Sequence, residues 1–143
     1  MTLDDKGRLV MPTRYREPIQ ERAEGKLVVT VHRDQCLLTY PRPEWELTQQ
    51  KIMQLPNGHP QARWLQRFMV GYATDVELDG HGRFLLPPEL REMARLERAG
   101  MLIGQGNRFE LWDEARWIEQ RDEWLKSEAA EADLPSLLGS LSI

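Results

Sequence analysis

Two windows of this chain, 75 positions apart, carry the same turn. "LDDKGRLVMPTRYRE" occupies 3–17 and "LDGHGRFLLPPELRE" occupies 78–92. Seven of the fifteen positions are identical: Leu3/Leu78, Asp4/Asp79, Gly7/Gly82, Arg8/Arg83, Pro12/Pro87, Arg16/Arg91 and Glu17/Glu92. Leu9-Val10-Met11 stands against Phe84-Leu85-Leu86, matched in kind. An internal repeat constrains a fold before any local reading does. With 143 residues, the chain is one ordinary domain or two small repeats fused into one body, since a half of ~70 residues is marginal alone.

Each copy reads in the same order. Asp4-Asp5-Lys6-Gly7 and Asp79-Gly80-His81-Gly82 have the form of a tight turn. The Asp side chain accepts turn amides, and the fourth-position Gly tolerates positive φ. "RLVM" and "RFLL" are too short for helices and suit strands. Pro12 and Pro87 then stand where a helix begins. "PPELREMARLER" predicts an amphipathic helix with Leu90, Met93, Ala94 and Leu96 inward. In "PTRYREPIQERA", Pro18 predicts a break or kink after one turn. "KLVVTV" through "HRDQ" to "CLLTY", and "GMLIGQ" through "GNR" to "FELW", predict two hairpins. "PRPEWELTQQKI" and "DEARWIEQRDEWL" predict helices with acids in the first turn and place Trp45 and Trp117 at matching positions. "PQARWLQRFM" predicts a further helix with Ala62, Leu65, Phe68 and Met69 inward. The tail from Lys126 predicts a helix that breaks near Pro135, with leucines suited to docking on a neighbour.

The second turn is preceded by a strand, "VGYATDVEL", with Val70, Tyr72, Thr74 and Val76 on one side. Only Met1 and Thr2 precede the first turn. The first repeat is therefore expected to lack its opening strand, which leaves a short start or an unpaired sheet edge.

The formal net charge is −4, which by itself argues against an anionic partner. Its distribution says otherwise. Residues 110–143 hold nine acids and three bases, whereas 1–109 hold sixteen bases and fourteen acids. Lys6, Arg8, Arg14 and Arg16 fall within eleven residues that contain no acid. A local patch matters more to a polyanion than the total, because charges beyond a Debye length of ~8–10 Å are screened. No apolar run approaches the ~20 residues of a membrane span, and "MTLDDKGRL" has no signal-peptide form. A soluble, cytoplasmic protein is expected.

Arg8 and Arg83 are the positions that turn geometry does not demand. Pseudo-symmetry would set two guanidinium groups on one face, beside Lys6 and His81, and the planar fork bonds bidentately to phosphate or to guanine O6/N7. Asp4, Gly7, Asp79 and Gly82 read first as turn-formers, and an exposed Asp–Arg pair stabilises by only ~0–1 kcal/mol. Arg14 and Arg16 begin a helix, where a solvated basic face or a phosphate contact both fit. Glu89 stands opposite Arg14 in the second copy, so a polyanion contact leans on the first repeat. No catalytic residues, cofactor or metal ligands are assigned. His32, His59 and His81 occur singly, Cys36 lies in an apolar string that suits a buried core residue, and "GQGNRF" lacks the third glycine of a phosphate loop. An enzyme using Asp4 and Asp79 as a carboxylate pair would require the two turns to converge in a cleft.

The doubled turn–strand–Pro–helix unit with D-x-x-x-R in each copy, followed by "LLTYPRPEW" and "FELWDEARW", resembles the MraZ family of bacterial transcriptional regulators. The resemblance runs from Leu3 to about Leu125 and rests on "LDxKGRLxxPTRYRE", "LDGxGRxLxPPxLR" and "GQxNxFELW". It implies an α+β fold of two tandem swapped-hairpin SpoVT/AbrB-like repeats, forming a pseudo-two-fold, barrel-like body with flanking helices. The repeats would span 1–50 and 70–122, with a connecting helix at 51–69 and an acidic helix and tail at 123–143. It further implies homo-oligomeric rings, nucleoid association, and D-x-x-x-R loops gripping direct repeats of double-stranded promoter DNA. The expected target is the division and cell-wall operon that encodes the regulator. Lys6, Arg8, Arg14, Arg16 and Arg83 are the DNA-binding positions so implied, with Asp4, Gly7, Asp79 and Gly82 shaping the turns. The alternative is a ring scaffold for protein partners whose basic loops are incidental.

Overall fold

The computed structural model describes residues 1–142, without the side chains of 128–133. It divides into two units, Met1–Asp113 and Glu114–Ile143. The first holds strands β1 (Arg8–Val10), β2 (Lys26–Val31), β3 (Leu37–Pro41), β4 (Thr74–Glu77), β5 (Arg83–Leu85), β6 (Gly100–Gly104) and β7 (Phe109–Asp113). Its helices are α1 (Thr13–Ala23), α2 (Arg42–Met53), α3 (Pro60–Trp64) and α4 (Pro88–Met93), and α3 runs on into a π-helical segment, Leu65–Val70. The second unit holds α5 (Glu114–Leu125) and α6 (Glu128–Leu141). The fold is mixed α+β. Its strands form a two-stranded ribbon, β1–β5, and a five-stranded sheet ordered β4-β2-β3-β7-β6. Among the described residues, the two sheets do not close into the barrel-like body expected.

Both expected hairpins are present, β2–β3 and β6–β7, joined through β3–β7. "KLVVTV" shows no alternation because the sheet is covered on both faces, the condition under which a strand reads as a continuous apolar run. Leu27, Val29 and Val31 pack with Leu9, Phe84 and Leu90 on one face. Val28, Leu38 and Tyr40 pack with Trp45, Ile52 and Met69 on the other.

Pairings cross between the copies. β1 pairs antiparallel with β5, and β4 with β2. The residues before the first turn pair in the same way: Thr2 bridges Ala99, and the Leu3 N–H donates to the Arg98 carbonyl (2.7 Å). Met1–Leu3 thus occupy part of the edge that was expected to lie open.

Several local expectations are corrected. Pro18 lies inside an unbroken α1. Its missing N–H forfeits one hydrogen bond, at ~3 kcal/mol or more with its ring clash. Burial of Ile19 and Ala23 holds the helix through that point. Pro135 likewise sits inside α6, its fixed φ being compatible with a helix. α4 is shorter than the apolar pattern predicts. Arg95 adopts φ 54°, and the Arg95 and Leu96 N–H groups donate to the Glu92 and Arg91 carbonyls. This is a Schellman termination, with Leu96 the buried residue beyond it. The strand expected from Val70 begins only at Thr74, because Val70 still belongs to the π-helical segment. That segment is anchored by Thr30, whose buried hydroxyl donates to the Met69 carbonyl. Among the described residues, no helix is long and apolar enough to cross a membrane.

Candidate nucleic-acid interface

The two turns are built alike. Asp4 Oδ1 accepts the N–H of Lys6 (3.0 Å) and of Arg8 (2.8 Å), and Oδ2 accepts Arg8 Nε–H at 2.7 Å. Asp79 Oδ1 accepts the N–H of His81 and of Arg83 (both 2.9 Å), and Oδ2 accepts Arg83 Nε–H at 2.8 Å. One carboxylate therefore shapes the turn and aims the arginine. Hydrogen bonds to the ionised form favour it. The Arg83 backbone N–H, ahead of the His81 N–H and the Arg83 guanidinium, holds the Asp79 carboxyl down to about 2. The Asp4 carboxyl is lowered by the matching Arg8 N–H first, then by the Arg8 side chain and the Lys6 N–H.

Each arginine meets its carboxylate through Nε, and a guanidinium so held keeps its Nη edge suited to bidentate recognition. The ribbon register sets where they stand. Arg8 faces Leu85, Leu9 faces Phe84 and Val10 faces Arg83. Leu9 and Phe84 point into the core. By strand alternation, Arg8, Val10, Arg83 and Leu85 share the opposite face. There the Arg8 and Arg83 side chains are 27% and 32% exposed, while Val10 and Leu85 are 44% and 54% exposed. The outward face of one ribbon thus carries two buttressed arginines and two apolar side chains.

The other positions fall around this face differently. Lys6 is exposed at the tip of the first turn. Arg14 is exposed at the start of α1, its guanidinium carbon 4.8 Å from the centroid of the Tyr15 ring. Arg16 is half-buried and turned back: its Nε–H donates to the Met11 carbonyl at 2.7 Å, and the side chain lies over Gly82. Arg91 lies over Gly7 in the same way. Gly7 (φ 81°) and Gly82 (φ 75°) are buried in left-handed turn positions. A Cβ at Gly82 would meet Arg16 Nε at 2.3 Å, and one at Gly7 would meet Arg91 Nη1 at 2.9 Å. Arg91 is the residue a sequence reading underweights. Its signal is the equal nine-residue offset of Gly7 from Arg16 and of Gly82 from Arg91.

Asp4 and Asp79 do not form a carboxylate pair. Each is committed to its own arginine, and the antiparallel pairing sets their turns at opposite ends of the ribbon.

Fold and site together define a two-repeat α+β protein that displays paired, carboxylate-aimed arginines on a short β-ribbon. A family model described as "MraZ protein, putative antitoxin-like" matches residues 1–68 and again 69–135. The chain is 54% identical over 143 residues to a transcriptional regulator MraZ of Thioalkalivibrio sulfidiphilus, covering all of this chain and 95% of that one. It is 49% identical over 145 residues to the protein of that name from Coxiella burnetii, with all of this chain and 95% of the relative covered. The Methylococcus capsulatus protein of that name is 49% identical over 144 residues, covering 99% of this chain and 95% of its own. The chain belongs to the MraZ family.

Proposed function

We propose that this protein is a sequence-specific DNA-binding transcriptional regulator, working as a homo-oligomeric ring on direct repeats in the promoter of its own division and cell-wall operon. The observation that carries this reading is the outward ribbon face, where Arg8 and Arg83 stand aimed by Asp4 and Asp79. A two-stranded ribbon fits the major groove, and arginine reads guanine there by paired donors to O6 and N7. Val10 and Leu85 on the same face suit contact with thymine methyl groups. Lys6 and Arg14 supply phosphate contacts. Arg16, held against Gly82, acts by positioning the turn of the second repeat. The relatives' shared name, transcriptional regulator, supports the same role. The crossed strand pairings favour a swapped-hairpin arrangement of repeats 1–50 and 70–122, joined by 51–69 and followed by the acidic helix and tail at 123–143.

One ribbon grips a duplex weakly. Several ribbons on a ring raise effective concentration, and avidity exceeds the single-site affinity by ~10²–10⁴ when their spacing matches the DNA. The test is a gel shift and footprint on DNA upstream of the gene at several salt concentrations, with light scattering on the same preparation. Arg8→Ala should abolish footprinting without changing the oligomer, and wild-type affinity should fall steeply with salt. Retained footprinting by Arg8→Ala sinks the assignment of this face. An intact oligomer that shows no salt-dependent preference for upstream DNA moves the function to a protein scaffold.

A further inference from the structure

Strand pairing brings a distant carboxylate to two side chains that share one tight turn. His32 follows β2, Cys36 precedes β3 across a tight turn, and Glu110 lies in β7. The His32 N–H donates to the Cys36 carbonyl at 3.0 Å, closing the turn. The β3–β7 register sets Leu38 opposite Glu110. Since Cys36 is two residues before Leu38, it falls on the sheet face that carries Glu110. An imidazole nitrogen of His32, Sγ of Cys36 and a carboxylate oxygen of Glu110 all lie within 4.8 Å of one another.

We propose that His32, Cys36 and Glu110 form a binding site for a borderline-soft divalent metal ion of the zinc type. Imidazole, thiolate and carboxylate are the three zinc donor classes, with metal–ligand distances of ~2.0–2.3 Å. Donors on such a sphere stand closer together than 4.8 Å, so the three side chains draw inward when an ion binds. A thiolate in the set selects against magnesium and calcium, which take oxygen donors. The charges balance: one thiolate and one carboxylate neutralise a dication, at a cysteine that is only 1% exposed.

The surroundings fit ligand duty. Trp112 Nε1–H donates to Glu110 Oε1 at 3.0 Å, orienting the carboxylate. The Asp34 backbone N–H donates to His32 Nδ1 at 3.2 Å, and the Asp34 carboxylate lies 3.5 Å from the same nitrogen, so the turn itself fixes the orientation of the ring. His32 and Cys36 also line a cavity of about 240 Å³, walled further by Trp64, Phe68 and Met93. With His32 and Cys36 on the cavity wall, a three-ligand set leaves room for an open coordination position rather than a closed structural site. Phe68 belongs to the π-helical segment, a local geometry that recurs at functional sites.

The test uses the full chain stripped of metal and titrated with cobalt(II) as an optical probe. We expect one cobalt per chain, with a thiolate-to-cobalt charge-transfer band that stoichiometric zinc abolishes. Cys36→Ser should remove the band. His32→Gln and Glu110→Gln should each weaken zinc binding by at least about tenfold, the lower bound for losing even an outer partner of a metal ligand. His59→Gln, at an exposed loop position, should match the wild type. Absence of the band in the wild type overturns the proposal, as does unchanged zinc affinity in both His32→Gln and Glu110→Gln. These two variants decide the matter even if Cys36→Ser fails to fold.

Discussion

Replacing Gly82 with alanine puts a methyl group where Arg16 now lies. The new Cβ would stand 2.3 Å from Nε and 2.6 Å from Cδ of that side chain, so the guanidinium must leave, and with it the 2.7 Å bond from Nε–H to the Met11 carbonyl. A hydrogen bond from a charged donor stabilises by ~1.5–3 kcal/mol. The left-handed φ of 75° adds ~1–2 kcal/mol of strain for a residue with a Cβ. Lower entropy of the unfolded alanine chain offsets ~0.4–1 kcal/mol. The net expectation is a loss of about 2–4 kcal/mol, or a Tm lowered by about 10 °C in a domain of this size. Gly80 is the internal control: a Cβ there meets nothing within 4 Å, and its substitution should stay within about 0.5 kcal/mol. Urea unfolding of Gly82→Ala, Arg16→Ala and the double variant completes a cycle. The Gly82→Ala penalty should shrink to about the strain alone when Arg16 is absent, leaving a coupling of ~1.5–3 kcal/mol. Equal losses for Gly80→Ala and Gly82→Ala, or an additive double variant, would refute the view that the turn glycine exists to seat an arginine from the other repeat.

Two further experiments probe the site and the core, alongside the Arg8→Ala footprint and the cobalt titration. NMR titration of the Asp79 carboxyl should give a midpoint of about 2 against an ordinary 3.8. A lowered folded pKa means that its contribution to stability is present above 3.8 and lost as pH falls through about 2; a midpoint at or above 3.8 would show the Arg83 buttress is not formed in solution. Thr30→Val should lose ~1–3 kcal/mol by orphaning the Met69 carbonyl. Thr39→Val should be neutral or stabilising, because the buried Thr39 hydroxyl has no partner among the described residues; equal effects from the two would discount the Thr30 bond in denaturant melts.

What the sequence made legible follows from which forces are local. The turns were readable because an Asx acceptor and a positive-φ glycine act within five residues, and the hairpins because their turns sit between apolar runs. Arg8 and Arg83 stood out because repetition kept a residue the turn does not require. The contact of Arg16 with Gly82 was not legible. As a cation at a helix start, Arg16 reads as phosphate-facing, and only the pairing of β1 with β5 sets it against the glycine of the other copy. Helix ends failed for a related reason. Pro18 marks a break by local rule, yet the burial of Ile19 and Ala23 overrides it. The apolar spacing after Pro87 cannot show that Arg95 turns left-handed and converts Leu96 into a capping contact. Glu110 stayed invisible as a neighbour of His32 and Cys36, which share one tight turn, because only sheet register brings it to them.

The crossed contacts also explain why duplication matters within a single chain. The first strand of one copy pairs with that of the other, the segment before each turn pairs against the opposite copy, and each turn glycine seats the opposite copy's arginine. The backbone geometry that aims Arg8 is therefore completed by residues of the second repeat, and that of Arg83 by residues of the first. Two independent beads on a linker would leave the angle between their arginines to thermal motion, and the ordering entropy would count against every binding event. Interlocked copies fix that angle before DNA arrives. On this account, the copies differ at exposed positions such as Arg14 and Glu89, while the turn and its opposing arginine must change together or not at all.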